Sequence, residues 1–293
     1  MATTTEAAYA PTTLDEALAI RARERVEPVA GGTDLMVQHR PAAPIPVTLE
    51  SPPLFVGGLP ELRGVRFEDE ALTVGAATTL AELDAHPACD ASLRELLRWF
   101  ASPAIRNAAT VGGNVCNASP AADLVPWLVA REATVRLRSL GAERTMAVAE
   151  FITGPGMTAL RPDELLVDLT VPVRPADAFW SYRKVAPRRS NALSKLSVYA
   201  EAERTTDGTV GRFALALGAV APTVVRSREA ESMLVGCAPG ELPARLPEVI
   251  ERYRALLRPI DDQRSTSAYR TRTSLRLVRH IIESQLASYL EKP

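Results

Sequence analysis

Apolar positions along the chain recur either every three to four residues or on alternate residues, and these two periods sort it into helices and strands. A helix capped by Thr13 is expected through Leu14, Ala17, Leu18 and Arg21. A short strand, Val26 to Ala30, then leads into Gly31-Gly32-Thr33-Asp34, with a turn of helix through Leu35, Met36 and Val37. Beyond a Pro-rich connection at 41–53, the pattern predicts a strand at 71–75 and a helix from Leu80 to His86, capped by Thr79. A longer helix, 92–100, ends ahead of Ser102-Pro103, because proline disfavours helical dihedrals in the residue before it. The stretch Thr110 to Asp123 breaks both periods and reads as a loop; strand-like segments at 134–138 and 165–171 follow it. Pro172 and Pro175 mark the expected domain boundary. After it, 179–185, 195–203 and 210–220 read as antiparallel strands, with Thr206-Asp207-Gly208 as a hairpin turn. Two helices, 243–257 and 267–290, close the chain; the second carries Leu275, Val278, Ile281, Ile282 and Leu286 at helical spacing.

Composition narrows the class. The 293 residues carry 34 Lys+Arg against 35 Asp+Glu, with 46% hydrophobic and 5% aromatic residues, as ordinary globular proteins do. That length suits two compact units. A net charge of −1 and few aromatic residues argue against a nucleic-acid partner. Only Lys184, Lys195 and Lys292 are lysines, so each is of interest beside the many arginines. Cys89, Cys116 and Cys237 are scattered and suit neither a disulfide framework nor a metal cluster. No basic, apolar signal pattern is visible over Met1 to Thr13. The most apolar run, Phe213 to Val225, contains Gly218 and Pro222 and is too short to span a bilayer. A cytoplasmic protein without a membrane span is the expectation.

Several chemistries fail on residue types. The chain has no G-x-S-x-G elbow, no Walker A loop and no G-x-G-x-x-G. His39, His86 and His280 lie far apart and read as surface or capping residues, so no catalytic or metal-binding set is expected. Two glycine-rich loops stand out instead. In Ala30-Gly31-Gly32-Thr33-Asp34-Leu35, paired glycines let backbone approach a ligand, and successive N–H groups suit a pyrophosphate. A tight turn with Thr33 or Asp34 as helix cap reads equally well. The second loop, Thr110 to Asp123, holds another glycine pair and the polar side chains Thr110, Asn114, Asn117, Ser119 and Asp123. Two such loops suggest a long cofactor containing a polyphosphate.

AGGTDL, followed about 75 residues on by IRNAATVGGNVCNASPAADL, resembles the flavin-binding subunit of the molybdenum hydroxylases. That family includes xanthine, nicotinate and carbon monoxide dehydrogenases. Phe179-Trp180-Ser181-Tyr182-Arg183-Lys184 resembles the start of its C-terminal domain, and Asp261-Asp262-Gln263-Arg264 through Ala268-Tyr269-Arg270 a later helix start. The resemblance implies an α+β fold. Residues 1–175 would form a PCMH-type FAD-binding domain of two α/β subdomains, about 1–55 and 56–175, and residues 176–293 a C-terminal domain of antiparallel sheet and helices. By matching position, Pro28, Val29, Ala30, Gly31, Gly32, Thr33, Asp34 and Leu35 would line the FAD pyrophosphate and its surroundings. Thr110, Val111, Gly112, Gly113 and Asn114 would form a second cradle, with Asp123 accepting a hydrogen bond from the cofactor. Phe100, Leu166 and Lys184 would pack near it or close the pocket. Taken singly, Phe100 and Leu166 read as core, Lys184 as solvent-exposed, Asp123 as a cap for a helix at 124–130, and Cys116 as a packing residue.

The resemblance further implies an electron-transfer subunit without a catalytic acid–base residue. It would receive electrons from a subunit with [2Fe-2S] clusters, while a large subunit holds the molybdenum cofactor and oxidises the substrate. Electrons would leave through FAD to NAD or another acceptor. The first motif reads GGTDL instead of GGHSL, which favours a xanthine-, nicotinate- or other heteroaromatic-type system over a carbon monoxide dehydrogenase. Two rival readings are a stand-alone FAD-dependent oxidoreductase of the same fold and a flavin-free scaffold or maturation partner.

Overall fold

The computed structural model describes residues 8–40 and 47–292; part of the Met1–Thr13 tract and residues 41–46 of the Pro-rich connection lie outside it. Packing gathers the chain into two units that alternate in sequence. The first holds the described residues through Cys89, with Ala101–Ala118 and Ala133–Val171; the second holds Asp90–Phe100, Ser119–Glu132 and the residues from Pro172 onward.

In the first unit, α1 (Leu14–Arg23) begins where the Thr13 hydroxyl accepts a hydrogen bond from the Glu16 N–H at 3.2 Å. Acidic Asp15 and Glu16 in its first turn and basic Arg21 and Arg23 in its last suit the helix dipole. Leu14, Ala17 and Leu18 bury one face in a core shared with Leu54, Leu59 and Leu62. β1 (Glu27–Val29) runs parallel to β2 (Pro53–Phe55) and delivers the chain to the first glycine pair, after which α2 (Leu35–Gln38) makes a single turn. β3 (Val65–Glu68) and β4 (Ala71–Gly75) form a hairpin, and α3 (Leu80–Ala85) starts at a Thr79/Glu82 capping box. α5 (Pro103–Arg106) and α6 (Val111–Cys116) precede β5 (Thr134–Arg138), β6 (Glu143–Ala147), α8 (Val148–Phe151), the short pair β7 (Ile152–Gly154) and β8 (Met157–Thr158), and β9 (Leu165–Pro172). The resulting five-stranded sheet has the order β3-β4-β9-β5-β6, and its middle strand β9 is buried over most of its length.

α6 corrects the expectation of a loop throughout 110–123. Val111 and Val115 stand four residues apart and are both buried, and Thr110 accepts a hydrogen bond from the Gly113 N–H at 3.0 Å as the helix cap. The glycine pair lowers helix propensity and hides this turn from a pattern reading.

In the second unit, β10 (Phe179–Val185), β11 (Leu196–Arg204), β12 (Val210–Gly218) and β13 (Val225–Arg226) make an antiparallel sheet in that order. The turn between β11 and β12 passes through Gly208 at φ +75°, as its Asp-Gly sequence suggests. α4 (Ala91–Trp99) packs on β10, and α7 (Val125–Ala130), buried at every position, packs on β11 and β12. α9 (Arg228–Ser232), α10 (Leu242–Leu256), α11 (Ser267–His280) and α12 (Ala287–Leu290) complete the unit. The single helix expected over 267–290 is interrupted by a π-helical turn, Ile281–Leu286. Ile281, Ile282 and Leu286 are all fully buried, so the widened turn keeps three apolar side chains in one core.

A polar network explains why residues 90–100 and 119–132, on the N-terminal side of the expected boundary, pack with the C-terminal residues. Glu201 is 1% exposed and accepts from Arg131 at 2.6 Å, Arg212 at 2.6 Å and Arg174 at 3.0 Å. Arg131 also reaches Asp90 at 2.8 Å and the Ser92 hydroxyl at 3.2 Å. Removing Glu201 leaves the buried Arg131 with Asp90 as its remaining counter-charge.

Candidate functional site

In the first unit the two glycine-rich segments meet. A Cβ built at Gly31 would lie 1.9 Å from the Ala108 carbonyl oxygen and 3.1 Å from the Ala109 Cα, so the first loop rests on backbone entering the second. Gly112 presses α6 onto the end of β4 in the same manner, with a Cβ falling 2.8 Å from the Ala76 carbonyl oxygen. Gly32 has room for a side chain but sits at φ +65°, where glycine is favoured.

The two segments differ in the donors they present. The N–H groups of Val111 and Gly112 donate to the carbonyls of Thr78 and Ala76, and that of Gly113 donates to Thr110 Oγ1. By contrast, among the described residues no backbone N–H from Gly31 to Leu35 donates to a protein acceptor. Five successive unpaired donors beside a left-handed glycine are the kind of backbone that suits an anion. The same segment is anchored through Asp34. Its Oδ2 accepts from Asn117 Nδ2 at 2.7 Å and from Gln38 Nε2 at 2.5 Å, and Gln38 Nε2 also reaches Asn117 Oδ1 at 3.2 Å. Asp34 therefore does not cap α2 with its side chain. Gln38 was invisible as a site residue in the sequence, because its partner is 79 positions away.

Asn114 Oδ1 is buried and has no hydrogen-bond partner among the described residues, so the second segment presents one orphaned acceptor. Burial pushes the Cys116 thiol up to about 12, opposed by the Arg21 guanidinium, so this cysteine is not an activated thiolate. Pro28 and Val29 lie in β1, and Leu166 is buried in β9 opposite Leu137.

The remaining expected residues lie in the second unit. Lys184 Nζ donates to Asp123 Oδ2 at 2.5 Å and to the Trp99 carbonyl at 3.1 Å, and the Ser194 hydroxyl donates to Asp123 Oδ1 at 2.7 Å. The Lys184 side chain is 2% exposed, which overturns its reading as a solvated lysine. Asp123 is likewise not a helix cap: Leu124 is the cap residue of α7, no side chain caps it, and both Asp123 oxygens are engaged elsewhere. Desolvation pushes the Asp123 carboxyl above its ordinary value, while Lys184 and Ser194 pull it down. Tyr182 shares a face of β10 with Lys184, and its buried hydroxyl has no partner among the described residues. Phe100, buried, follows α4 directly after the Trp99 carbonyl. Ser194 carries no local signal in the sequence, whereas Tyr182 lies in the family-like segment 179–184 and alternates with Lys184. His86 has the expected local role: its Nδ1 accepts from the Ala88 N–H at 3.2 Å just past α3.

Unpaired backbone donors beside a second glycine-bearing segment, in a mixed sheet-and-helix unit, suit a phosphate-bearing ligand. The profile of the family described as FAD binding domain in molybdopterin dehydrogenase matches residues 3–174, and that of the CO dehydrogenase flavoprotein C-terminal domain matches residues 181–285. The chain belongs to this family of FAD-binding oxidoreductase subunits. It is 27% identical over 284 residues to the carbon monoxide dehydrogenase medium chain of Hydrogenophaga pseudoflava, covering 95% of this chain and 96% of that one. It is 33% identical over 211 residues to the xanthine dehydrogenase FAD-binding subunit of Escherichia coli O157:H7, covering 69% and 70% respectively. The solved carbon monoxide dehydrogenase from Hydrogenophaga pseudoflava that lacks the Mo-pyranopterin moiety superposes with a TM-score of 0.84 at 27% identity, over 93% of this chain and 94% of that one. Among the described residues no helix is long and apolar enough to cross a membrane.

Proposed function

We propose that this chain is the electron-transfer subunit of a heteromeric molybdenum hydroxylase and acts on electrons drawn from a heteroaromatic substrate of the xanthine or nicotinate type. The observation that carries the cofactor half of this reading is the row of free N–H groups from Gly31 to Leu35. FAD, when bound, supplies the capacity to take electrons singly and release them as a pair. Gly31 to Leu35 hold its pyrophosphate by backbone donation, and Asp34, fixed by Asn117 and Gln38, keeps that backbone in shape. Thr110 and Gly112 set the position of α6, from which Asn114 offers its acceptor. Leu166 of the same unit bounds the cofactor in this reading, and Phe100, Asp123 and Lys184 are assigned to it by the family resemblance alone.

Partner subunits carry the remaining centres in this reading: [2Fe-2S] clusters on a small subunit and the molybdenum cofactor on a large one. Three scattered cysteines cannot build two such clusters, which supports the division of labour. The acceptor is NAD or another electron carrier, and the complex works in the cytoplasm in this reading. The GGTDL motif and the 33% identity to a xanthine dehydrogenase subunit support the substrate class.

Affinity isolation of the tagged chain from its own cells tests this. The expected product is a complex with about four iron atoms per FAD, together with molybdenum, whose flavin is bleached by a purine or pyridine substrate. A flavoprotein that purifies alone and is reduced directly by its own substrate would overturn the assignment.

A further inference from the structure

A groove of about 740 Å³ runs between α10 and α11 of the second unit. Arg254 and Arg258 line it from one helix and the residues just beyond it, and Arg272, Arg276 and Arg279 line it from the other; no carboxylate is among the lining residues. All five arginines are exposed, whereas Ile250, Leu257 and Leu275 at its base are buried.

This charge is poorly compensated. Arg254 pairs with Glu251 and Arg279 with Glu283, each at 3.1 Å and exposed, which is a weak arrangement. Arg258 donates only to backbone carbonyls, and among the described residues no carboxylate pairs with Arg258, Arg272 or Arg276. The acids nearest in sequence are turned elsewhere. Asp262 is held by Arg264 and Arg270, both at 2.6 Å, and Asp261 accepts the Ser267 N–H. A chain with a net charge of −1 thus gathers five guanidinium groups along one groove.

The spacing favours a polymeric anion over a small one. Arg272, Arg276 and Arg279 stand at i, i+4 and i+7 on one face of α11 and span roughly 10 Å at 1.5 Å per residue. An extended peptide repeats its side chains on one face about every 6.7 Å. Arg272 and Arg276 stand roughly 6 Å apart along α11, close to that repeat, so two carboxylates on one face of such a peptide meet these two arginines, and an apolar residue further along that face reaches the base at Ile250, Leu257 and Leu275. A free phosphate engages at most one end of this row and gains nothing from an apolar base. We infer that the groove docks an acidic, partly apolar segment of a partner polypeptide. The inference is independent of flavin binding.

Fluorescence anisotropy with the full chain tests it, using a labelled peptide of repeated Glu-Leu-Glu-Ala, its Gln-Leu-Gln-Ala counterpart, and inorganic phosphate as competitor. Saturable binding of the Glu peptide is expected, with at least about tenfold weaker binding of the Gln peptide and about tenfold loss in Arg272→Glu/Arg276→Glu. The opposite wall provides a second variant, Arg254→Glu/Arg258→Glu, with the same expected loss; unchanged thermal midpoints show that both variants fold. Equal binding of the two peptides, or indifference to both variants, would overturn the inference. So would phosphate displacing the peptide more strongly than chloride at matched ionic strength, since that marks a site for free anions.

Discussion

The Ala108 carbonyl oxygen occupies the space that a side chain at Gly31 needs: a Cβ built there falls 1.9 Å away. The contact is backbone on backbone, so no rotamer change relieves it. Gly31→Ala should therefore lower stability by about 3 kcal/mol or more, through loop displacement, and release FAD as a consequence. Gly58→Ala, where nothing lies within 4 Å, serves as the control and should leave the thermal midpoint unchanged. A Gly31→Ala protein as stable as the control would show that the two loops do not rest on each other.

Lys184 and Asp123 are both nearly excluded from solvent, and each is the main counter-charge of the other. Lys184→Met leaves a buried carboxylate with only Ser194 as donor, and should cost about 3–5 kcal/mol, read as a fall on the order of 10 °C in the midpoint. The double variant Lys184→Met/Asp123→Leu removes both charges and should recover most of that loss. Additive effects of the two substitutions would contradict a coupled pair.

Acid sensitivity should report on Asp262. Burial pushes its carboxyl up, but hydrogen bonds from Arg270, Arg264 and the N–H groups of Arg264 and Ser265 outweigh that and hold it well below the ordinary range. A carboxylate with a lowered folded-state pKa stabilises the protein above its unfolded value of about 4 and loses that contribution as pH falls through the folded value. Asp262→Asn should thus be less stable than the parent at pH 7, with the gap narrowing below about pH 4. A gap that stays constant down to pH 3 would refute this.

Much of this was legible in the primary structure, for identifiable reasons. Thr13, Thr79 and the alternation in β10 to β12 act locally, and the elements they specify are where the pattern puts them. The glycine pairs marked the first unit's loop at 30–35 and the helical turn α6, since close backbone approach has few other solutions. Sequence could not show that Gly31 and Gly112 serve contacts inside the protein while the N–H groups of Gly31 to Leu35 remain free, because both depend on long-range packing. Lys184 was misjudged in isolation for the same reason: its partner Asp123 is 61 positions away. The π-helical turn at Ile281–Leu286 keeps the apolar spacing of a continuous helix, and so left no trace.

Asn114 separates binding from folding. Its Oδ1 has no protein partner, so Asn114→Ala removes no internal hydrogen bond made by that oxygen and should leave the midpoint within about a degree. FAD affinity should fall about tenfold, the usual worth of one buried hydrogen bond. A large stability loss with unchanged affinity would assign the side chain to the scaffold.

The most direct test of the account is calorimetric titration of the flavin-stripped, full-length chain with FAD. Saturable binding of a single FAD, accompanied by restored flavin absorbance, is the predicted result. A folded chain that takes up no FAD at any concentration would contradict the reading of Gly31 to Leu35 as its pyrophosphate cradle.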